Sequence, residues 1–389
     1  MMSNSGQFKD GTGIMRLVCA IFFILFTLLY LNKYQPDILA VTQHVLSHGA
    51  THYNNVVGTI LITLILWLIQ AAIYAGTKLN HRAHALTYLP SMLLLAVLTD
   101  VSPSLTSGNY LGVWAWLFPL LMVVYACVVW FFKQLEPMEP ALLSSGVFSR
   151  LTWVNLLQLV SCAFIVCSIG CSDAVFHSRM RMEGELMKGD CHEAVGVGRT
   201  VAKVDSSLSM LRIVALTKDR SLCERLFEYP LIGGSDAMLP NEKSVKLMML
   251  PEDSVYAIFG IVFKEKMRPL TYLKCVNKSK YANKDSRDWL LCAYLLDCDL
   301  DHFATALPRY YKVNKPLPKA FREALVLYNH LRKRPLVIYK DPAMDADYED
   351  FKKVYYQTSN AIARLSNVKD GYGTTYWFYY LSHSGSLRH

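Results

Sequence analysis

Four groups of side chains in this chain have the types and spacing that chemistry uses. His44, His48 and His52 recur every four residues, the interval at which imidazoles on one helix form a stripe suited to a metal. His81 and His84 form a second close pair. A histidine stripe with no neighbouring carboxylate is the ordinary pattern of an interfacial amphipathic surface, so the expectation is no metal. Asp297, Asp299 and Asp301 imitate the opening of a calcium loop. His302 stands where that loop needs its glycine and Pro308 where it needs its glutamate, which leaves helix capping as the account. The acidic run Asp341, Asp345, Asp347, Glu349 and Asp350 sits where carboxylates favour the positive start of a helix. Gly196-Val197-Gly198 is an isolated glycine pair without a preceding strand, not a nucleotide loop. No nucleophile elbow, zinc-protease helix or phosphate loop occurs. No catalytic residue and no cofactor are expected, although turnover of a substrate stays open.

These groups hang on two dissimilar halves. A membrane-crossing helix needs about 20 apolar residues to cover about 30 Å of hydrocarbon. Five segments meet or approach that requirement: 15–31, 56–75, 85–98, 111–132 and 151–171. The third is short and contains Pro90, while Arg16 sits where its stem can reach the interface. With five crossings and the N-terminus inside, Lys9, Arg16, Lys78, Arg82, Lys133 and Arg150 lie inside and only Lys33 outside. Omitting the short segment reduces the asymmetry to four against three. The expected arrangement is therefore a multi-pass inner-membrane protein with a cytoplasmic N-terminus and residues 172–389 in the periplasm. Met15 to Leu31 has no small-x-small cleavage site before Asn32, so an uncleaved first span is expected.

The tail carries 33 of the 40 Lys and Arg and 26 of the 31 Asp and Glu. Its basic excess fits an acidic partner or an anionic surface, and no recognised nucleic-acid motif accompanies it. The densest cluster is Arg332, Lys333 and Arg334. Five cysteines fall in spans and five in the tail, and an odd number outside cannot all pair internally, so free thiols are expected.

Apolar residues recur at helical spacing through the tail, most clearly in Asp288–Leu296, Lys319–Leu331 and Thr374–Leu381. Ser254–Phe263 reads as a buried helix. The fold class is all-α: transmembrane helices followed by a soluble stack of helical hairpins, loosely similar to a tetratricopeptide solenoid around Leu186, Gly189 and Ala194. Such stacks bind peptides or partner helices, and Tyr294, Tyr328, Trp377 and Tyr380 are the aromatic candidates for partner binding.

The strings ALTKDRSLCERLFEYP (Ala215 to Pro230), LCAYLLDCDLDHF (Leu291 to Phe303), LPKAFREALVLY (Leu317 to Tyr328) and GTTYWFYYL (Gly373 to Leu381) resemble the tail of uncharacterised multi-span inner-membrane proteins from Bacteroidota. The resemblance implies an inner-membrane location and a periplasmic tail, and it implies no catalytic residues. The expected function is a membrane-held helical module that binds an envelope protein or peptide, with the lipid bilayer as its constant partner. An enzyme or transport subunit of envelope polymer biosynthesis is the alternative. The oligomeric state cannot be read from the residues.

Overall fold

The structure is a computed structural model that describes residues 7–101, 111–135, 147–199, 203–241, 243–261, 267–280, 282–357 and 360–384, with the side chains of 7–12, 361 and 362 outside the description. Among the described residues it is all-helical, with no strand beyond one isolated bridge between Asn241 and Val245. The chain divides into two compact units, Met1–Met180 and Arg181–His389.

Unit 1 is a helical bundle. Its long members are α1 (Gln7–Leu29), α3 (Asn55–Thr77), α5 (Trp114–Leu135) and α6 (Arg150–Ile169), with α2 (Pro36–Leu46) and α4 (Leu89–Thr99) shorter. Four stretches are long and apolar enough to cross a membrane: Gly13–Tyr34, Asn55–Thr77, Trp114–Leu135 and Arg150–Ile169. Their outer faces stay apolar, with Leu61, Val123, Leu157 and Phe164 all exposed. A water-soluble bundle would place charge at such positions, whereas hydrocarbon rewards them.

The short third segment is not one helix. An eight-residue 3₁₀ helix, His81–Tyr88, precedes α4. Pro90 stands in the first turn of α4, where its missing N–H costs no intrahelical bond. Runs of 3₁₀ helix beyond three or four residues are uncommon because their bonds are poor. Asn155 of α6 supplies the compensation: Oδ1 accepts the Ala85 N–H at 2.8 Å and Nδ2 donates to the His81 carbonyl at 2.8 Å. At the far end of α6, the Cys171 N–H donates to the Thr99 carbonyl at 2.9 Å. The 3₁₀ helix and α4 together therefore travel the length of α6. At about 2.0 Å and 1.5 Å of rise per residue, they cover about 32 Å.

The histidine stripe does not form. Helix α2 ends at Leu46, and His48 takes a left-handed φ of 51° before Gly49 at 80°. Only His44 sits on the helix.

Unit 2 opens within α7 (Ala174–Lys188) and continues through α8 (Cys191–Gly196), α9 (Ser206–Lys218), α10 (Leu222–Arg225), α11 (Glu252–Tyr256), α12 (Pro269–Lys278), α13 (Lys284–Leu296), α14 (Leu300–Tyr310), α15 (Lys319–Leu331), α16 (Pro342–Tyr356), α17 (Ala361–Tyr372) and α18 (Tyr376–Ser384). From α12 onward each helix packs on the next, and α18 also turns back onto α15. Phe227 closes that fold from the other side, 4.8 Å from the Tyr376 ring and 4.9 Å from Tyr379. Helix α14 runs through Pro308. The expected helix over Ser254–Phe263 is instead α11 plus a 3₁₀ turn, stopped at Gly260 with φ 69°. That conformation favours glycine and ends a helix.

Two buried side chains order the irregular parts of unit 2. Glu183 lies fully inside, where Oε2 accepts the N–H groups of Met248, Met249 and Leu250 at 3.0, 2.6 and 3.0 Å. Arg212 donates to the Val195 carbonyl at 2.6 Å and to the Val197 carbonyl, with its guanidinium 4.3 Å from the Tyr229 ring centre. Burial lowers the Arg212 pKa to about 10, still well above neutrality.

Candidate functional site

The four aromatic candidates lie in the interior of unit 2. Tyr294 is 6% exposed, Tyr328 and Trp377 2%, and Tyr380 1%. Tyr294 stacks on His302 at 5.6 Å, and the Tyr328 hydroxyl accepts the Leu336 N–H at 3.2 Å. The Trp377 indole donates to the Glu323 carbonyl at 2.8 Å and packs edge-on to Tyr348 at 5.2 Å. The structure brings Tyr328, Trp377 and Tyr380 to the packing of α15 with its neighbours, and their visible contacts are with this chain itself.

Tyr328 points to a surface the sequence reading passed over. Its hydroxyl is a fixed point for the connection from α15 to α16, residues 332–341, which bends at 333–334 and 336–337. Asn329 Nδ2 donates to the Tyr339 carbonyl at 2.7 Å, and the Tyr339 hydroxyl meets Asp341 at 3.3 Å. Asp341 also pairs with Arg322 at 3.5 Å and caps α16 by accepting the Met344 N–H at 3.3 Å. At the other end, Arg332 forms a two-point contact with Asp301, at 3.0 and 2.8 Å.

Exposure alternates along this connection. Arg334, Leu336, Ile338 and Lys340 are exposed, while Pro335, Val337 and Tyr339 are half-buried. Leu336 is 75% and Ile338 69% exposed, the two most exposed aliphatic side chains in unit 2 among the described residues. Lys333, Arg334 and Lys340 flank them, and none of the three makes an ion pair among the described residues. Two aliphatic side chains framed by unpaired cations carry no reaction chemistry. They suit recognition of a segment that is acidic and apolar at once. The sequence signal was present: a continuous apolar run, Leu336 to Tyr339, bounded by Pro335 and Lys340 and next to the densest basic cluster of the tail.

A second polar grouping lies in unit 1, at the end where α4 and α6 finish. Gln35 donates to the Tyr30 hydroxyl at 3.1 Å and to the Cys171 carbonyl at 3.0 Å, and Tyr30 meets Thr99 at 3.2 Å. Gly170 is required there, because a Cβ at that position would overlap the Tyr30 hydroxyl. His177 contacts the Cys171 carbonyl at 3.1 Å and lies 3.7 Å from Asp37. Burial disfavours its cation, but the Asp37 carboxylate and the Cys171 carbonyl prevail and raise its pKa to about 10. An open recess of about 330 Å³ adjoins these groups, lined by Asp100, Ser168, Cys171, Ser172, Asp173 and Phe176. Both of its carboxylates are engaged: Asp100 accepts the Trp114 indole N–H at 2.7 Å, and Asp173 accepts the Val175 N–H at 2.9 Å. The recess is thus framed by groups that hold the fold.

Among the described residues, no three or more His, Cys, Asp or Glu side chains come together as a metal-holding group. Asp299 caps α14 by accepting the His302 N–H at 3.1 Å, while Asp297 accepts the Ser235 N–H at 2.7 Å. All ten cysteines are free. Cys223 and Cys292 are both buried, and the hydrogen bond that the Cys223 thiol gives to Cys292, together with burial, raises it well above its ordinary range.

The exposed connection lies within a stretch that is similar to a known sequence family. A family of unknown function, DUF6057, matches residues 261–383, which covers Leu336, Ile338 and all four aromatic candidates. No curated protein and no solved structure gives a match to the chain. The chain is a helical protein with several helices able to cross a membrane, and over residues 261–383 it is similar to DUF6057.

Proposed function

We propose that this chain is a membrane-held scaffold whose helical tail docks an acidic, partly apolar segment of an envelope protein on the connection from Arg334 to Lys340. The observation that carries this reading is the paired exposure of Leu336 and Ile338 between unpaired cations on a backbone fixed by Tyr328 and Asn329. Ordering that backbone in advance lowers the entropy lost on binding. The sequential packing of α12 to α18 supports a helical-repeat-like tail, with α18 closing its end against α15.

The membrane arrangement proposed is five crossings, with the N-terminus cytoplasmic and unit 2 periplasmic in the inner membrane. Helix-end positions support it: Arg16, Lys78 and Arg150 belong to one end of the bundle, and Lys33, Asp37 and Asp173 to the other. The combined length of the 3₁₀ helix and α4 matches a hydrocarbon core of about 30 Å.

The test is a photocrosslinking amino acid at Ile338 in the full chain in its native membrane, with Lys312 as control site. Crosslinks to one protein from Ile338, lost in K333E/R334E and weakened at high salt, are the expected result. Equal crosslinking from Lys312 would overturn the docking surface. Adducts confined to lipid-linked glycan would favour the biosynthetic alternative.

A further inference from the structure

The interior of unit 1 contains an arginine and a histidine that have polar atoms to spare. Arg16 sits in the first span, and its guanidinium carbon lies 4.8 Å from the Tyr74 ring centre. Its guanidinium thus lies against the last turn of α3. Its Nε is buried without a hydrogen-bond partner, and Arg16 makes no ion pair among the described residues. On the 3₁₀ helix, His84 is 3% exposed, and neither ring nitrogen has a hydrogen-bond partner. Tyr74 and Tyr88 close over it edge-on, at 5.2 and 5.7 Å. The Tyr74 ring is thus shared by both groups.

Both features are costly unless a partner meets them. A charged side chain in a span stands several kcal/mol above water unless paired, on the order of 2.5–3.5 kcal/mol at mid-membrane and less near the interface. Each buried polar atom left unpaired costs on the order of 1–3 kcal/mol. One ligand chemistry relieves them together. A phosphate oxygen accepts from a guanidinium and from an imidazole N–H, and its charge balances Arg16. A cationic ligand would meet repulsion from Arg16. A neutral apolar one would leave both groups unpaired. The same end of the bundle carries Lys78 and Arg150, both exposed, which raises the local concentration of any anion.

We propose that Arg16 and His84 form a phosphate site, filled by the headgroup of an anionic phospholipid. The site belongs to unit 1 and is independent of the docking surface on the tail.

The experiment uses the full chain in neutral detergent, with phosphatidylglycerol, phosphatidylcholine and inorganic phosphate as probes. Native mass spectrometry counts retained lipid, and thermal unfolding reads stabilisation. Phosphatidylglycerol should be retained and should raise the midpoint, whereas phosphatidylcholine should not. R16Q should weaken the effect about tenfold or more, the ratio expected when about 1.4 kcal/mol of charge-assisted pairing is lost, and R16K should weaken it less. H84Q should weaken retention while keeping a polar side chain in place, and the Arg16 variants decide the matter if H84Q fails to fold. K33Q, which removes an exposed cation at the opposite end of the bundle, should leave retention unchanged. Protection by inorganic phosphate that needs Arg16 would identify free phosphate as the source of the same chemistry, and its absence would identify the lipid. Equal stabilisation of R16Q, equal loss in K33Q, or an equal effect of phosphatidylcholine would overturn the site.

Discussion

The Glu323 carboxylate on α15 accepts the backbone N–H of Tyr376 at 2.7 Å, so a buried acid holds the first turn of α18. Burial raises its pKa to about 7, against the opposing pull of the Tyr376 N–H, Lys319 and Arg322. Lys319 is 3.8 Å from the carboxylate and also donates to the Thr374 carbonyl at 3.3 Å. An acid whose folded pKa lies above its unfolded value binds more protons in the native state. Its contribution to stability is fully present below the unfolded value and lost as pH rises towards 7. Thermal unfolding of the full chain followed by tryptophan fluorescence should therefore show a decline between about pH 4.5 and 7 that E323Q removes. Glutamine keeps an acceptor for the Tyr376 N–H, whereas E323A strands it and should cost on the order of 1–3 kcal/mol at every pH. An unchanged pH profile in E323Q would show that the acid does not govern this contact.

Glu183 holds a segment with no regular structure of its own. Three successive N–H groups, from Met248 to Leu250, converge on a single oxygen. E183Q retains one acceptor but loses the charge, and E183A leaves three donors without it. The expected order of thermal midpoints is wild type, then E183Q, then E183A, with several kcal/mol between the first and last if the loop cannot rehydrate. Midpoints of both variants equal to the wild type would mean that water replaces the carboxylate at no cost.

Which parts of this were legible beforehand follows from the physics of each signal. The long spans were readable because apolar length alone decides them, and the caps because Asp299 and Asp341 sit one residue before an apolar-periodic run. The interior position of Trp377 and Tyr380 was not readable. Helical spacing marks an apolar face but not which neighbour will cover it, and α18 returns to α15 across more than forty residues of chain. Helix α15 shows the same limit from the other side: Glu323 falls inside an otherwise apolar buried run because α18 needs an acceptor there. Helices α12 and α17 were missed because Lys274, Lys278, Arg364 and Lys369 dilute their apolar faces.

Thiol accessibility separates the buried pair from the surface. Cys223 and Cys292 are buried, whereas Cys191 is partly exposed at the start of α8. The thiolate is the reactive form, and burial together with the Cys292 contact disfavours it at Cys223. A water-soluble maleimide should label Cys191 in the native protein and reach Cys223 and Cys292 only after denaturation. Rapid native labelling of C191S at Cys223 would show that α10 and α13 separate readily.

Orientation is the broadest of the predictions and rests on charge and path length together. Arg16 and Lys78 mark one end of the bundle, at the start of the first span and the end of α3. The chain leaves that end at Asn80, follows the 3₁₀ helix and α4, and reaches the other end at Thr99, where Cys171 meets it. Reversal by the 3₁₀ helix and α4 puts Lys133, in the last turn of α5, back with Arg16 and gives the six-to-one basic asymmetry. Without that crossing, Lys133 and Arg150 fall on the opposite side and most of the bias vanishes. A reporter fused after Lys133 should then be active only as a cytoplasmic marker, and one fused after His389 only as a periplasmic marker. Cytoplasmic activity of the terminal fusion would mean that the 3₁₀ helix and α4 do not cross, and the docking surface would have to meet its acidic partner inside the cell.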